Sequence, residues 1–153
     1  MLQNELDMIF NYEPVTYGEI KSGLGDEMNK ETRIFKLLSQ CNENDKYLCD
    51  VVKRVEGKES LFNYVILQEN NMFPTLSAGS AVTPMRGKEK TYCTCEDMIY
   101  AQTFPSDYDF INRTRNNVQY ICGMSVPPVM IKRIVTRLIE SGVFDYKLKR
   151  NNK

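Results

Sequence analysis

Apolar residues recur along this chain in two rhythms, and each rhythm predicts a different kind of element. Ile131, Ile134, Val135, Leu138 and Ile139 fall at i, i+3, i+4, i+7 and i+8, the one-sided stripe of an amphipathic helix. The spacing predicts a helix from about Pro127 to Ser141. Pro127 and Pro128 suit its first turn, where a missing amide hydrogen costs nothing, and Gly142 stands just past its end. A second helix is predicted over 95–102, with Met98, Ile99 and Ala101 on its apolar face. Thr94 precedes it as N-cap and Asp97 follows three residues later in a capping-box arrangement. Phe104-Pro105 stops it, because proline disfavours helical geometry in the residue before it. Ile34, Phe35, Leu37 and Leu38 predict a helix within 30–40, started by Asn29 or Thr32 and broken by the polar run 42–45. Val15 to Leu24 reads as a short helix capped by Thr16 and ended by Gly23 and Gly25.

The second rhythm is that of strands. Leu61 to Gln68, rich in β-branched and aromatic side chains, predicts a strand. Residues 74–83 predict a strand and glycine turn that lead into a loop over 84–90, and 91–94 a further short strand. Residues 47–55 fit both rhythms: Leu48, Val51, Val52 and Val55 follow helical spacing, while the β-branched content suits a strand. A short helix is preferred there. Residues 4–13 read as a short extended or turn-like lead-in to Pro14, Tyr108 and Phe110 anchor a compact turn at 107–110, and a second turn is expected at 123–128. The sum is an α+β chain with a mixed region at 1–90, built on short antiparallel strands, and a helical segment at 91–153.

Bulk properties narrow the picture. With 153 residues the chain suits one domain with a real core rather than two. No apolar run approaches a membrane span, and the first residues lack the basic flank and apolar stretch of a signal peptide. A cytoplasmic location is expected, with no membrane partner. The five cysteines, Cys41, Cys49, Cys93, Cys95 and Cys122, lack the doubled Cys-x-x-Cys spacing of a structural zinc site. They read as free thiols and no metal is expected, although Cys93 and Cys95 could point the same way in an extended segment. The absence of histidine removes the commonest general base.

Charge changes the picture more. The formal net charge is zero, yet residues 111–153 hold nine basic side chains against Glu140 and Asp145, a net of +7, and the first 110 residues carry −7. Such asymmetry suggests an anionic partner or an acidic surface of another domain. It also suits basic residues that complement a helix dipole, and both readings stand at this point.

Two segments carry a resemblance. Thr94 to Pro105 is followed by Tyr120-Ile-Cys-Gly-Met-Ser-Val-Pro-Pro128 and a helix. This order resembles the ninth and tenth sequence blocks of the DNA cytosine-5 methyltransferases. Thr94, Gln102, Phe104 and Pro105 match the ninth block, Asp97 replaces its glutamate, and Glu96 and Tyr100 stand where the family has arginines. Tyr120, Gly123, Ser125, Val126, Pro127 and Pro128 match the tenth, and Met124 takes the place of its asparagine. Pro74-Thr75-Leu76 resembles the family's Thr-Leu element, and residues 9–30 and 47–76 resemble the variable recognition region of phage-borne or prophage members.

The resemblance implies methyl transfer from S-adenosylmethionine to cytosine in double-stranded DNA. It implies cofactor contacts at Met124, Ser125 and Val126, since free amides at a helix start favour an anionic group, and DNA contacts at Thr75 and Leu76. It also implies a catalytic cysteine, which in this family lies in Pro-Cys-Gln and attacks the flipped base. No cysteine here follows a proline: the preceding residues are Gln40, Leu48, Tyr92, Thr94 and Ile121. The glycine-rich cofactor turn, the Glu-Asn-Val block and the Gln-x-Arg-x-Arg block are also missing. No catalytic residue is therefore assigned, and the N-terminal methyltransferase core is expected as a partner, in the same or a separate chain. The last helix would pack on that core, and its stripe, exposed in isolation, would permit a homo-oligomer. The competing readings are a DNA-binding module without catalysis and a degenerate prophage remnant. An unrelated enzyme built on Glu96, Asp107 and Asp109 ranks last.

Overall fold

A computed structural model describes residues 11–79 and 82–142; the expected start of the lead-in at 4–10 and the basic tail after 142 lie outside them. The fold is α+β. In chain order the elements are α1 (Tyr17–Ile20), α2 (Arg33–Leu38), α3 (Leu48–Glu56), β1 (Tyr64–Leu67), β2 (Thr83–Arg86), β3 (Thr91–Tyr92), α4 (Cys95–Ala101), α5 (Arg115–Met124) and α6 (Pro128–Glu140).

The sheet has the order β1-β2-β3 and is mixed. β2 and β3 pair antiparallel as expected of short strands, whereas β1 and β2 run parallel, with Tyr64 opposite Thr83 and Leu67 opposite Arg86. Side chains of successive residues leave a strand on opposite faces, so one small sheet serves two cores. Ile66 and Met85 face α2 and α3 in a cluster with Leu37, Leu38, Leu48, Val51 and Val52, flanked by Tyr64 and Tyr92. Leu67 and Cys93 face the other way, into a cluster with Tyr17, Leu76, Met98, Ile99, Phe110, Val118 and Cys122. A strand buried on both faces needs a continuous apolar run, and Tyr-Val-Ile-Leu supplies one. The second cluster joins residues from both sides of position 90, so the segments 1–90 and 91–153 share a core.

Several elements differ from the sequence expectation. Residues 84–86, expected as loop, form most of the central strand, and the strand expected at 74–83 starts only at Thr83. The Pro84 carbonyl accepts from the Cys93 amide, so its ring nitrogen also lies on the β3 side, where a two-residue strand demands little. The β1 side loses no bond, as the Thr83 amide donates to Asn63. Helix α1 is one turn, started by Glu19, whose carboxylate accepts from both the amide and the hydroxyl of Thr16, and it ends at Ile20 rather than near Leu24. The helix preferred over 47–55 forms as Leu48–Glu56, from an extended Tyr47 capped by Asp50 to a left-handed Gly57. Helix α5 had no sequence expectation.

The last helix forms as predicted, but it buries no residue. No other helix or strand packs closely on it among the described residues. None of the described helices is long and apolar enough to cross a membrane.

Candidate functional site

The segments singled out by sequence meet where α4 ends. The Thr94 hydroxyl accepts from the Asp97 amide at 3.0 Å and the Asp97 carboxylate accepts from the Thr94 amide at 3.0 Å, so the predicted capping box starts the helix. It ends in a Schellman motif: Thr103 donates to Tyr100 O and Phe104 donates to Ile99 O. Thr103 takes the left-handed conformation this motif requires, φ 58°, which a β-branched residue adopts at a cost of about 1–3 kcal/mol. The geometry turns Phe104 inward, against Tyr108 and Phe110 with ring centroids 4.8 and 5.2 Å away.

Helix α5 passes beside this turn. Its hold on the body is tertiary: Gln119 donates to the carbonyls of Gly79 and Val82, and Arg115 donates to those of Pro84 and Cys93 while its guanidinium lies over the Tyr92 ring. Gly123 lies inside α5 rather than in the expected turn. A Cβ there would sit 2.2 Å from the Ser77 carbonyl carbon, so glycine lets α5 touch the backbone that follows Thr75-Leu76. The turn between α5 and α6 is pinned from the other side. The Gln102 side-chain amide donates to Ser125 O at 2.7 Å, and the Val129 amide donates to Thr103 Oγ1 at 3.2 Å. The Thr-Leu element, the Gln-x-Phe-Pro end of α4 and the Gly-x-Ser-Val-Pro-Pro turn are thereby one contiguous structure.

The individual site residues divide. Ser125 is spent on the fold: its amide donates to Cys122 O, its hydroxyl to Ile121 O at 2.6 Å, and its carbonyl accepts from Gln102. Leu76 is in the core, so a DNA contact from its side chain is closed off, while neighbouring Thr75 is exposed. Met124 and Val126 are 64% and 52% exposed. Among residues 125–129 the Ser125 and Val129 amides are used and the prolines have none, which leaves the Val126 amide open to a ligand among the described residues. That set suits one wall of a cofactor site, with two apolar surfaces and one backbone donor, rather than a whole pocket.

Sequence reasoning missed a buried polar centre beside this junction. Asp97 and Arg86 are both essentially inaccessible to solvent. The Arg86 guanidinium donates through Nε and Nη2 to Asp97 Oδ2 at 3.2 and 2.7 Å, and to the carbonyls of Gly23 and Ser22 at 2.8 and 2.6 Å. Tyr17 Oη donates to the same carboxylate oxygen at 3.0 Å, and the Ser22 amide donates to Oδ1 at 2.8 Å. Burial alone would raise the Asp97 carboxyl, but Arg86 and the Ser22 and Thr94 amides outweigh it and hold it below the usual range. Burial, then the Asp97 charge, pushes the Tyr17 phenol well above its ordinary value. Every hydrogen-bonding group of this centre is turned inward, so it braces α1, β2 and α4 rather than meeting substrate. The signal was the Asp97 capping position, which told of a helix start and nothing of Arg86.

Burial also raises the thiols. Cys41, Cys93 and Cys122 are pushed up to about 11, so they are protonated and weakly nucleophilic at neutral pH. No cluster of three metal-ligating side chains occurs among the described residues. No family model, curated protein or solved structure matches the chain.

Proposed function

We propose that this chain supplies the target-recognition side and one wall of the cofactor site of a DNA cytosine-5 methyltransferase, acting with a catalytic core that carries the nucleophilic cysteine. One observation carries the reading. Three segments that resemble family blocks, separated by up to about fifty residues in sequence, are stitched together by the Gln102–Ser125 hydrogen bond and the close approach of Gly123 to Ser77. An accidental likeness of two turns gives no reason for them to meet.

S-adenosylmethionine, when bound with the core, supplies the methyl group. In this chain Met124 and Val126 offer it apolar cover and the Val126 amide a donor, while Ser125 holds the turn in shape through Gln102. Thr75, the exposed residue of the Thr-Leu element, would meet a DNA phosphate in this reading, with Leu76 anchoring the element from below. The exposed stripe of α6 is the surface on which the core would dock, since burying such side chains against a partner yields roughly 25 cal/mol for each Å² of apolar surface removed from water.

The test is reconstitution. The chain is mixed with a core polypeptide encoded beside it that carries Pro-Cys-Gln and Glu-Asn-Val, and labelled methyl transfer from S-adenosylmethionine to duplex DNA is counted. Transfer by the mixture and by neither component alone is expected. Silence with every neighbouring core would overturn the proposal.

A further inference from the structure

Helix α6 has a second face that core docking leaves unused. At about 100° per residue, Ile131, Ile134, Val135, Leu138 and Ile139 centre on one side, and Lys132, Arg133, Thr136 and Arg137 centre on the opposite side. The basic face lines a groove of about 650 Å³ whose other wall is Asn11 and Tyr12. Arg133 stacks over the Tyr12 ring at 3.9 Å from its centroid, which holds its guanidinium in place while its edge stays open to solvent. Glu140 offsets part of the charge through Arg137 at 3.7 Å, so Lys132 and Arg133 supply the net positive character.

We infer that this groove is a second DNA contact surface, one that grips the phosphate backbone of a duplex without reading its sequence. The inference rests on the methyltransferase reading and adds to it where DNA touches the chain. Among the side chains lining it, the Arg133 guanidinium, the Lys132 ammonium, the Thr136 hydroxyl and the Asn11 amide are groups that serve phosphates, beside Tyr12, Val129 and the Arg137–Glu140 pair. An anionic lipid surface fits less well. Arg133 lies roughly 170° from the centre of the apolar stripe, so a helix sunk by that stripe into a bilayer would point Arg133 away from the headgroups. Two opposed faces instead allow the core and DNA to be held at once.

The experiment titrates the full chain against a fluorescently labelled duplex across a salt series. Lys132→Gln/Arg133→Gln is compared with the parent and with the charge-retaining Arg133→Lys, and circular dichroism checks that α6 survives. Binding with a negative salt slope is expected, weakened similarly on unrelated sequences in the double variant, with the slope shallower by about 0.9 for each phosphate no longer neutralised. Arg133→Lys should keep the parent's slope. An unchanged slope in the double variant would overturn the inference and leave the methyltransferase reading to reconstitution. So would a parent chain that ignores duplex DNA at low salt. Tight capture by phosphatidylserine vesicles, abolished by Ile131→Ser/Val135→Ser, would replace it with a membrane surface.

Discussion

Helices α4 and α6 are both amphipathic, both start at a recognisable signal, and both carry a segment with family resemblance, yet they end in opposite circumstances. In α4, Met98 is inaccessible and Ile99 is 4% exposed, and the polar face sends Asp97 into a buried ion pair. In α6, which is nearly twice as long, Ile139 is 63% exposed and no residue is buried. The stripe that makes a helix amphipathic tells that something must cover it, but not that this chain does. An apolar face kept without cover is itself information, since patches of this kind mark interaction sites.

The largest effect should come from the buried end of that contrast. Asp97→Asn keeps shape and removes charge, so Arg86 is left buried without its counter-ion. Loss of one partner of such a pair costs about 3–5 kcal/mol, and urea unfolding should record it. Asp97's share of the parent's acid limb should vanish with it, while the other depressed carboxylates, Asp45 among them, keep theirs. Because the folded Asp97 carboxyl is depressed, its stabilisation is full above the unfolded value near 3.9. It is lost as pH falls through the folded value. The variant should show a flatter stability profile across that range. A loss under 1 kcal/mol would mean the centre is wetter than its geometry implies.

One chemical change made at two places tests the comparison directly. Ile99→Ala removes buried methyl groups and should cost about 2–5 kcal/mol. Ile139→Ala on the solvent side of α6 should fall within about 0.5 kcal/mol. The ranking should invert when the readout is association with a catalytic core, where Ile139→Ala weakens binding. Equal losses in the isolated chain would show that α6 is covered after all, by a second copy, and light scattering would then find a dimer.

What could be read from the sequence follows the same division. Elements whose reasons are local were legible: the Thr94 cap, the β-branched run of β1, the stripe and prolines of α6. The misses had distant reasons. Helix α5 begins Arg-Asn-Asn and contains Gly123, and asparagine and glycine are modest or poor helix formers. It stands because Gln119 and Arg115 bind carbonyls thirty or forty residues away. Strand β2 contains Pro84 and Arg86, neither a strand former, and is strand because Arg86 is claimed by Asp97 across the core. At the candidate site the sequence singled out segments that meet in the fold, but not which side chains within them turn inward. Ser125 and Leu76 share their motifs with Val126 and Thr75, and only packing decides which of each pair turns inward.

A smaller loss than that of either buried change is expected at the seam where α5 meets the Thr75-Leu76 segment. Gly123 is the last residue before Met124 in α5, and an alanine in an ordinary helix interior would stabilise the chain by up to about 1 kcal/mol relative to glycine. Here the added methyl carbon would meet the Ser77 and Ala78 backbone, with the Ala78 nitrogen 2.4 Å away, and backbone cannot rotate aside as a side chain can. The expectation therefore changes sign: Gly123→Ala should destabilise by about 1–3 kcal/mol, the usual cost of overpacking. The shift of α5 that relieves the clash would carry Ser125 away from Gln102, so hydrogen exchange should quicken at Ser125 and Val129, whose amides are bonded at this turn, while the amides of α2 and α3, anchored in the other cluster, keep their protection. Stabilisation by alanine would instead mean that α5 and the Thr75-Leu76 segment are not in contact, and the junction that supports the functional reading would come apart with it.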